Sequence, residues 1–213
     1  DHEGNVYNTV QIGNQCWMKE NLRTTRYEDG DSIPAGTYFS STEPYYYDNN
    51  STSIPLTERG YLYNWPAVMH GQAASNTVPS GVQGICPEGW HVPSDAEWTQ
   101  LTDYVSSQSE YLCSNDSAFI AKALAATTLW NTYNADCVVG NNLSSNNATG
   151  FSAVPAGSFL GTYSGFGTST YFWSATESNS SSVMGRHISH QNVNVGVSAI
   201  NKTLGQSVRC IHN

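Results

Sequence analysis

Ile85-Cys86-Pro87-Glu88-Gly89-Trp90-His91-Val92-Pro93-Ser94-Asp95-Ala96-Glu97-Trp98 carries the clearest helix start in the chain. Pro93 keeps the segment before it extended, and Ser94 offers a side-chain oxygen to the orphan N–H groups of a first turn. Glu97, three residues on, reaches back to complete a capping box. Trp98, Leu101 and Val105 then recur at helical spacing, which predicts a helix after Ser94 with one apolar face. A second helix is predicted from about Ser117 to Ala126, with Phe119, Ile120, Ala123 and Leu124 on its buried side.

Toward the N-terminus, Val6, Tyr7, Val10 and Ile12 precede a Gly13-Asn14 turn, and Cys16, Trp17 and Met18 follow it, which reads as a hairpin. Tyr27 to Pro34 is turn chemistry centred on Asp29-Gly30. Toward the C-terminus, Val193, Val195 and Val197 alternate with Asn192, Asn194, Gly196 and Ser198, as on a half-buried strand. Asn201 to Gly205 reads as a turn, and Gln206 to Ile211 as a closing strand carrying Cys210. Gly140 to Gly150 and Gly157 to Ser169 offer little that would build a core. The expected fold class is α+β, a single domain over residues 1–213 with two helices, antiparallel strands and long ordered loops.

Composition bounds the function. The 213 residues carry 8 Lys plus Arg against 17 Asp plus Glu, a net charge of −9, and charged residues make up only 12%. Eight scattered cations cannot build the basic stripe a nucleic-acid binder needs. No apolar run approaches the roughly 18 residues of a membrane span. Six Trp, thirteen Tyr and six Phe supply a core, which argues against disorder.

Five cysteines stand at 16, 86, 113, 137 and 210, without Cys-x-x-C or Cys/His spacing for zinc. Low Lys and abundant Asn, Ser and Thr fit an exported protein with two disulfides and one leftover thiol. Cys113 and Cys137 flank a polar stretch and form the expected local pair. Cys86 and Cys210 would close a loop of about 125 residues, worth roughly 4–5 kcal/mol on the chain-entropy model. Cys16 is then left over, expected as an inert thiol in a buried strand. The chain opens Asp1-His2-Glu3-Gly4 and is taken as a trimmed form.

Several segments together resemble one family. They are Gly4-Asn5-Val6-Tyr7, Val10-Gln11-Ile12-Gly13, Trp17-Met18-Lys19-Glu20-Asn21-Leu22 and Tyr61-Leu62-Tyr63-Asn64-Trp65, followed by the Ile85–Trp98 block. Gly150-Phe151-Ser152-Ala153, Trp173-Ser174-Ala175-Thr176-Glu177 and Ser207-Val208-Arg209-Cys210 complete the series. The chain resembles the Fibrobacter succinogenes major paralogous domain of exported and lipid-anchored proteins in Bacteroidetes. That resemblance implies a C-type lectin-like fold, in the branch shared with formylglycine-generating enzymes. It implies paired terminal strands and long loops carrying the binding surface. The long disulfide of that fold suits a Cys86–Cys210 bond.

Chemical readings are then narrowed. Formylglycine-generating enzymes use a reactive cysteine pair in a groove, whereas Cys86 and Cys210 suit a structural bond and the other cysteines stand in unrelated contexts. No Gly-x-Ser-x-Gly, His-Glu-x-x-His or phosphate loop appears, so no enzyme is expected. Asp29, Asp31 and Asp48 read as turn formers rather than acid/base groups. Sugar-binding C-type lectins use Glu-Pro-Asn or Gln-Pro-Asp with Trp-Asn-Asp, while this chain has Glu43-Pro44-Tyr45. No cofactor is expected beyond a structural Ca²⁺ on Asp48, Asn49, Asn50 or Glu177. His187 and His190, three apart on one strand, face opposite sides and make a poor metal pair.

The expected function is a non-enzymatic, secreted or cell-surface module binding a protein or glycan through its C-terminal strand-and-loop face. Trp173, Asn179, Arg186, His187, His190, Asn192 and Asn194 are the expected contacts, rich in rigid aromatic and adaptable polar groups. Trp17, Trp65, Trp90 and Trp98 are assigned to the core. Variable proteins of diversity-generating retroelements share the fold the resemblance implies, so residues 178–206 are expected to be a diversified stretch. One alternative is a structural subunit of an extracellular filament or matrix, for which a weakly charged surface permits self-assembly; the other, more remote, is an enzyme of the formylglycine-generating type.

Overall fold

A computed structural model describes residues 1–48 and 54–213. The N-terminal hairpin forms as read, with β1 (Thr9–Ile12) antiparallel to β2 (Gln15–Met18) and Ile12 opposite Gln15 across Gly13-Asn14. Gly13 takes φ +59°, the left-handed entry of a tight hairpin turn. Along the chain follow β3 (Tyr46–Tyr47), α1 (Leu56–Arg59), β4 (Leu62–Tyr63), α2 (Trp65–Met69) and β5 (Trp90–His91). Then come α3 (Asp95–Ser107), α4 (Ala121–Leu124), β6 (Ala156–Phe159), β7 (Tyr163–Phe166) and β8 (Ser169–Asn179). The chain closes with β9 (Ser182–Ser189), β10 (Gly196–Asn201) and β11 (Ile211–His212).

These strands make an α+β fold with three sheets. One has the order β1-β2-β11-β5, one is the two-stranded β3-β4, and one is mixed, β10-β9-β8-β6-β7, with β6 parallel to β8. The segment from Gly205 to His212 stitches all three. Gly205 bridges Phe159, Gln206 bridges Tyr63, Ser207 bridges Phe172, and Ile211 pairs with both Trp17 and His91.

Helix α3 starts where the capping box placed it. The Ser94 hydroxyl accepts from the Glu97 N–H at 3.1 Å, and Glu97 Oε2 accepts from the Ser94 N–H at 2.9 Å. That buried carboxylate also takes the Ser80 N–H at 3.2 Å and sits 2.8 Å from His91 Nε2. One side chain thus fastens the helix start to β5 and to the loop before it.

The helix expected from Ser117 shrinks to the single turn Ala121–Leu124. Asp116 Oδ1 accepts the Ala118 N–H, a local side-chain turn that competes with helix, and Ile120 offers no capping side chain. The valine alternation is also corrected. Strand begins only at Gly196 after a bend, so Val197 is exposed while Gly196, Ser198 and Ile200 turn inward. Residues 157–169 contribute more than expected: Phe159 is buried and stacks on Tyr47 at 4.0 Å.

The core divides between a face around Trp65, Met69, Ile85 and Trp173 and one around Trp17, Trp98, Phe151 and Phe172. Trp17 and Trp98 lie 4.6 Å apart. Arg209 is buried between Phe151 and Phe172, its guanidinium 4.7 and 5.6 Å from their rings. It donates to Asn21 Oδ1 (2.6 Å) and to the carbonyls of Met18 (3.1 Å), Phe151 (2.6 Å) and Ser152 (3.0 Å). These acceptors offset the cost of burying the charge. Disulfides Cys86–Cys210 and Cys113–Cys137 are both present. Cys16 is free but half-buried rather than buried, because its side of the hairpin leaves it partly open to solvent. No helix among the described residues is long and apolar enough to cross a membrane.

Candidate functional site

A cleft of about 900 Å³ opens where five segments meet. Its floor is the apolar end of α2, from Trp65, Pro66 and Met69 to His70. Its walls are the Tyr27–Ser32 turn, the loop at Ser41–Pro44, the β8–β9 tip at Ser180-Ser181, and Asn201-Lys202-Thr203 after β10.

One buried side chain holds floor and loop together. Asn64 caps α2 by accepting the Ala67 N–H (3.2 Å) and takes the Tyr45 N–H (2.8 Å) with the same oxygen. Its amide donates to the carbonyls of Ser40 (3.1 Å) and Glu43 (2.8 Å). All its polar atoms are engaged, so the loop wall is fixed to the helix start.

On the opposite wall Asn179 shapes the hairpin tip, its Oδ1 accepting from the Ser181 N–H and hydroxyl. Lys202 crosses to the floor, with Nζ 4.5 Å from the centre of the Trp65 ring, donating to Glu177 Oε1 (2.5 Å) and the Ser180 carbonyl (3.0 Å). The Trp65 indole N–H is committed to the Ser174 carbonyl, so the cleft meets only part of its ring.

At the rim, α2 ends on His70 in the left-handed conformation (φ 47°, ψ 44°). Its ring stacks on Tyr27, centroids 3.6 Å apart and planes within 7°. His70 Nε2 lies 3.7 Å from Asp29 Oδ2, and one ligand atom each of Asp29, Asp31 and His70 lie within 4.8 Å of one another. Burial, with Asp29 and Asp31 adding to it, pushes the Tyr27 phenol pKa well up, so it stays a neutral hydroxyl.

The expected contact set does not form one patch. Trp173 is only 1% exposed, its indole N–H donating to the Tyr63 carbonyl at 2.7 Å, so it belongs to the core. Arg186 is 3% exposed and turned onto the start of α3, where it bonds the Asp95 carboxylate and carbonyl and the Thr99 hydroxyl. Both leave the contact set because β8 and β9 present them inward. Asn179 is exposed beside the cleft.

His187 lies toward the far end of the sheet. It pairs across strands with Tyr171 and Gly196, and its ring stacks on Tyr171 at 5.5 Å. Burial lowers its pKa. His190 meets Tyr133 edge-on at 5.7 Å, while Asn192 and Asn194 are exposed nearby in sequence. The five-residue register between Asn201 and Gly196 separates these groups from the cleft by roughly 17 Å along β10.

The expected calcium ligands are not assembled either. Asp48 pairs with Arg59 at 2.6 Å and Glu177 with Lys202, while Asn49 and Asn50 lie outside the described residues. Trp17, Trp65 and Trp98 are buried as assigned, and Trp90 is partly buried, packed against the core from the sheet margin with its ring edge-on to His212.

The capped helix, buried Arg209 and disulfide-tied closing segment all fall within residues 10–212, the stretch matched by one family model, the Fibrobacter succinogenes major domain. The chain belongs to this family. Comparison with curated proteins and with solved structures returns no match. In this Fibrobacter succinogenes major domain, two disulfides fit an oxidising environment outside the cytoplasm. Sequence reasoning missed the role of Trp65, His70 and Lys202. Asn64-Trp65-Pro66 is a legible helix start, but nothing local shows that residues 27–32 and 201–203 would meet it.

Proposed function

We propose that this domain is an exported, non-enzymatic binding module, secreted or held at a cell surface, and that the cleft is its binding face. The cleft itself carries the reading. An apolar floor is rimmed by hydroxyls and amides from Ser32, Ser41, Thr42, Gln72, Ser180 and Asn201, with few net charges. Such a surface suits an uncharged oligosaccharide, whose C–H faces pack on apolar groups while its hydroxyls exchange hydrogen bonds. A C-type lectin-like architecture is part of the same reading, supported by the closing segment paired to the N-terminal hairpin and by the Cys86–Cys210 bond.

Ser180, Ser181 and residues 201–203 lie inside the stretch expected to vary, so diversification would remodel one wall and leave the Asn64-pinned floor intact. Sequencing residues 178–206 from several isolates tests this; uniform codons would remove the idea. A glycan array with the purified domain, repeated with Asn201→Ala and Gln72→Ala, tests the binding reading. Selective binding lost in both variants supports it. Binding that survives both, or none on any glycan, removes it.

A second reading, a filament subunit, is favoured by the open edge of β10 and the exposed Val197 on it. Size-exclusion and electron microscopy of native material decide it by the presence or absence of polymers.

A further inference from the structure

The geometry points to a divalent transition-metal site on the cleft rim, formed by Asp29, Asp31 and His70. Two atoms bound to a tetrahedral ion at about 2.1 Å stand about 3.4 Å apart. His70 Nε2 and Asp29 Oδ2 are already 3.7 Å apart, and the whole trio lies within 4.8 Å, so small rotations would close the set. The imidazole is oriented in advance by its stack on Tyr27. Asp29 is held through Oδ1, which accepts the Asp31 N–H at 3.0 Å. The Asp31 carboxylate has no hydrogen-bond or ion-pair partner among the described residues and is free to ligate.

Tyr27 supplies an independent observation. It is 3% exposed and lines the same cleft as Asp31 and His70, yet its hydroxyl has no partner among the described residues. Buried hydroxyls are rarely left unpaired. The ring stack keeps this phenol beside the His70 imidazole, where a water on the metal would supply the missing partner. One nitrogen and two carboxylates favour a zinc-like ion over Ca²⁺, which takes six to eight oxygens. Three protein ligands leave a coordination position open, and Asp31 and His70 both border the cleft.

Zinc titration of the tag-free, chelator-treated chain by calorimetry tests the site without any glycan, so its failure and that of the binding reading are separable. The expected result is one saturable zinc site, weakened about ten-fold or more by His70→Ala and by Asp31→Asn, and unchanged by His190→Ala. Asp31→Asn removes no protein contact, so it should melt like the parent chain and keep the test valid should His70→Ala unfold. No saturable binding below millimolar zinc would overturn the proposal. So would an affinity unchanged by Asp31→Asn, or one reduced equally by His190→Ala.

Discussion

Removing the two disulfides separately should cost unequal amounts of stability. Cys86–Cys210 spans 124 residues and Cys113–Cys137 spans 24. The chain-entropy relation assigns about 5 kcal/mol to the first and about 3.5 kcal/mol to the second. The long bond also joins two fully buried cysteines, so its loss adds a packing defect, whereas Cys113 is half-exposed. Cys86→Ala/Cys210→Ala should therefore lose about 5 kcal/mol or slightly more, and Cys113→Ala/Cys137→Ala about 3.5 kcal/mol. Against a typical total of about 5–15 kcal/mol, the first variant sits near the edge of folding. Urea unfolding of the three proteins by tryptophan fluorescence, at constant m-value, reads both differences. The reasoning is refuted if the short-loop variant proves the weaker, or if the long-loop variant loses less than about 2 kcal/mol.

Other outcomes follow from single positions. Arg209→Met should cost about 3–5 kcal/mol, because Asn21 Oδ1 and the carbonyls of Met18, Phe151 and Ser152 lose their donor, and a thermal melt reads it. Gly84→Ala should cost about 2–4 kcal/mol and displace α2, since Gly84 has φ +53° and its new Cβ would lie 2.1 Å from the Val68 carbonyl oxygen; chemical denaturation checks it. Burial holds the His187 pKa below 6.5, so the unfolded chain binds more protons than the folded one as the pH falls. Stability should be unaffected by His187 above that value and decline below it; His187→Asn should flatten the urea midpoint between about pH 7 and 5, and an unchanged slope would count against the assignment.

Much of the fold was legible because its signals are local. Ser94 and Glu97 announce the start of α3 within four residues, and Gly13-Asn14 announces the first hairpin. The terminal strands also pair and both disulfides form, but the closing strand expected over Gln206–Ile211 is reduced to Ile211–His212, with only isolated bridges at Gly205, Gln206 and Ser207 before it. What failed was the inside-outside assignment of the C-terminal residues. Trp173 and Arg186 sit on strands whose register is set by β8–β9 pairing and by Asp95 ninety-one positions away, which no window of sequence contains. The cleft was illegible for the same reason, as its walls come from residues 27–32, 41–44, 65–72, 180–181 and 201–203. Asp29 and Asp31 looked like turn formers, and they are; only tertiary structure sets His70 beside them.

The segment from Gly205 to His212 bears on the order of events during synthesis. Every sheet borrows a partner from it, so no sheet reaches its final set of neighbours until residues between 205 and 212 have been made. Contacts of such long sequence separation slow folding. Completion of the fold therefore waits on the last-made residues rather than proceeding sheet by sheet along the chain. Cys86 meets Cys210 only afterwards, and that bond locks the last-made segment in place.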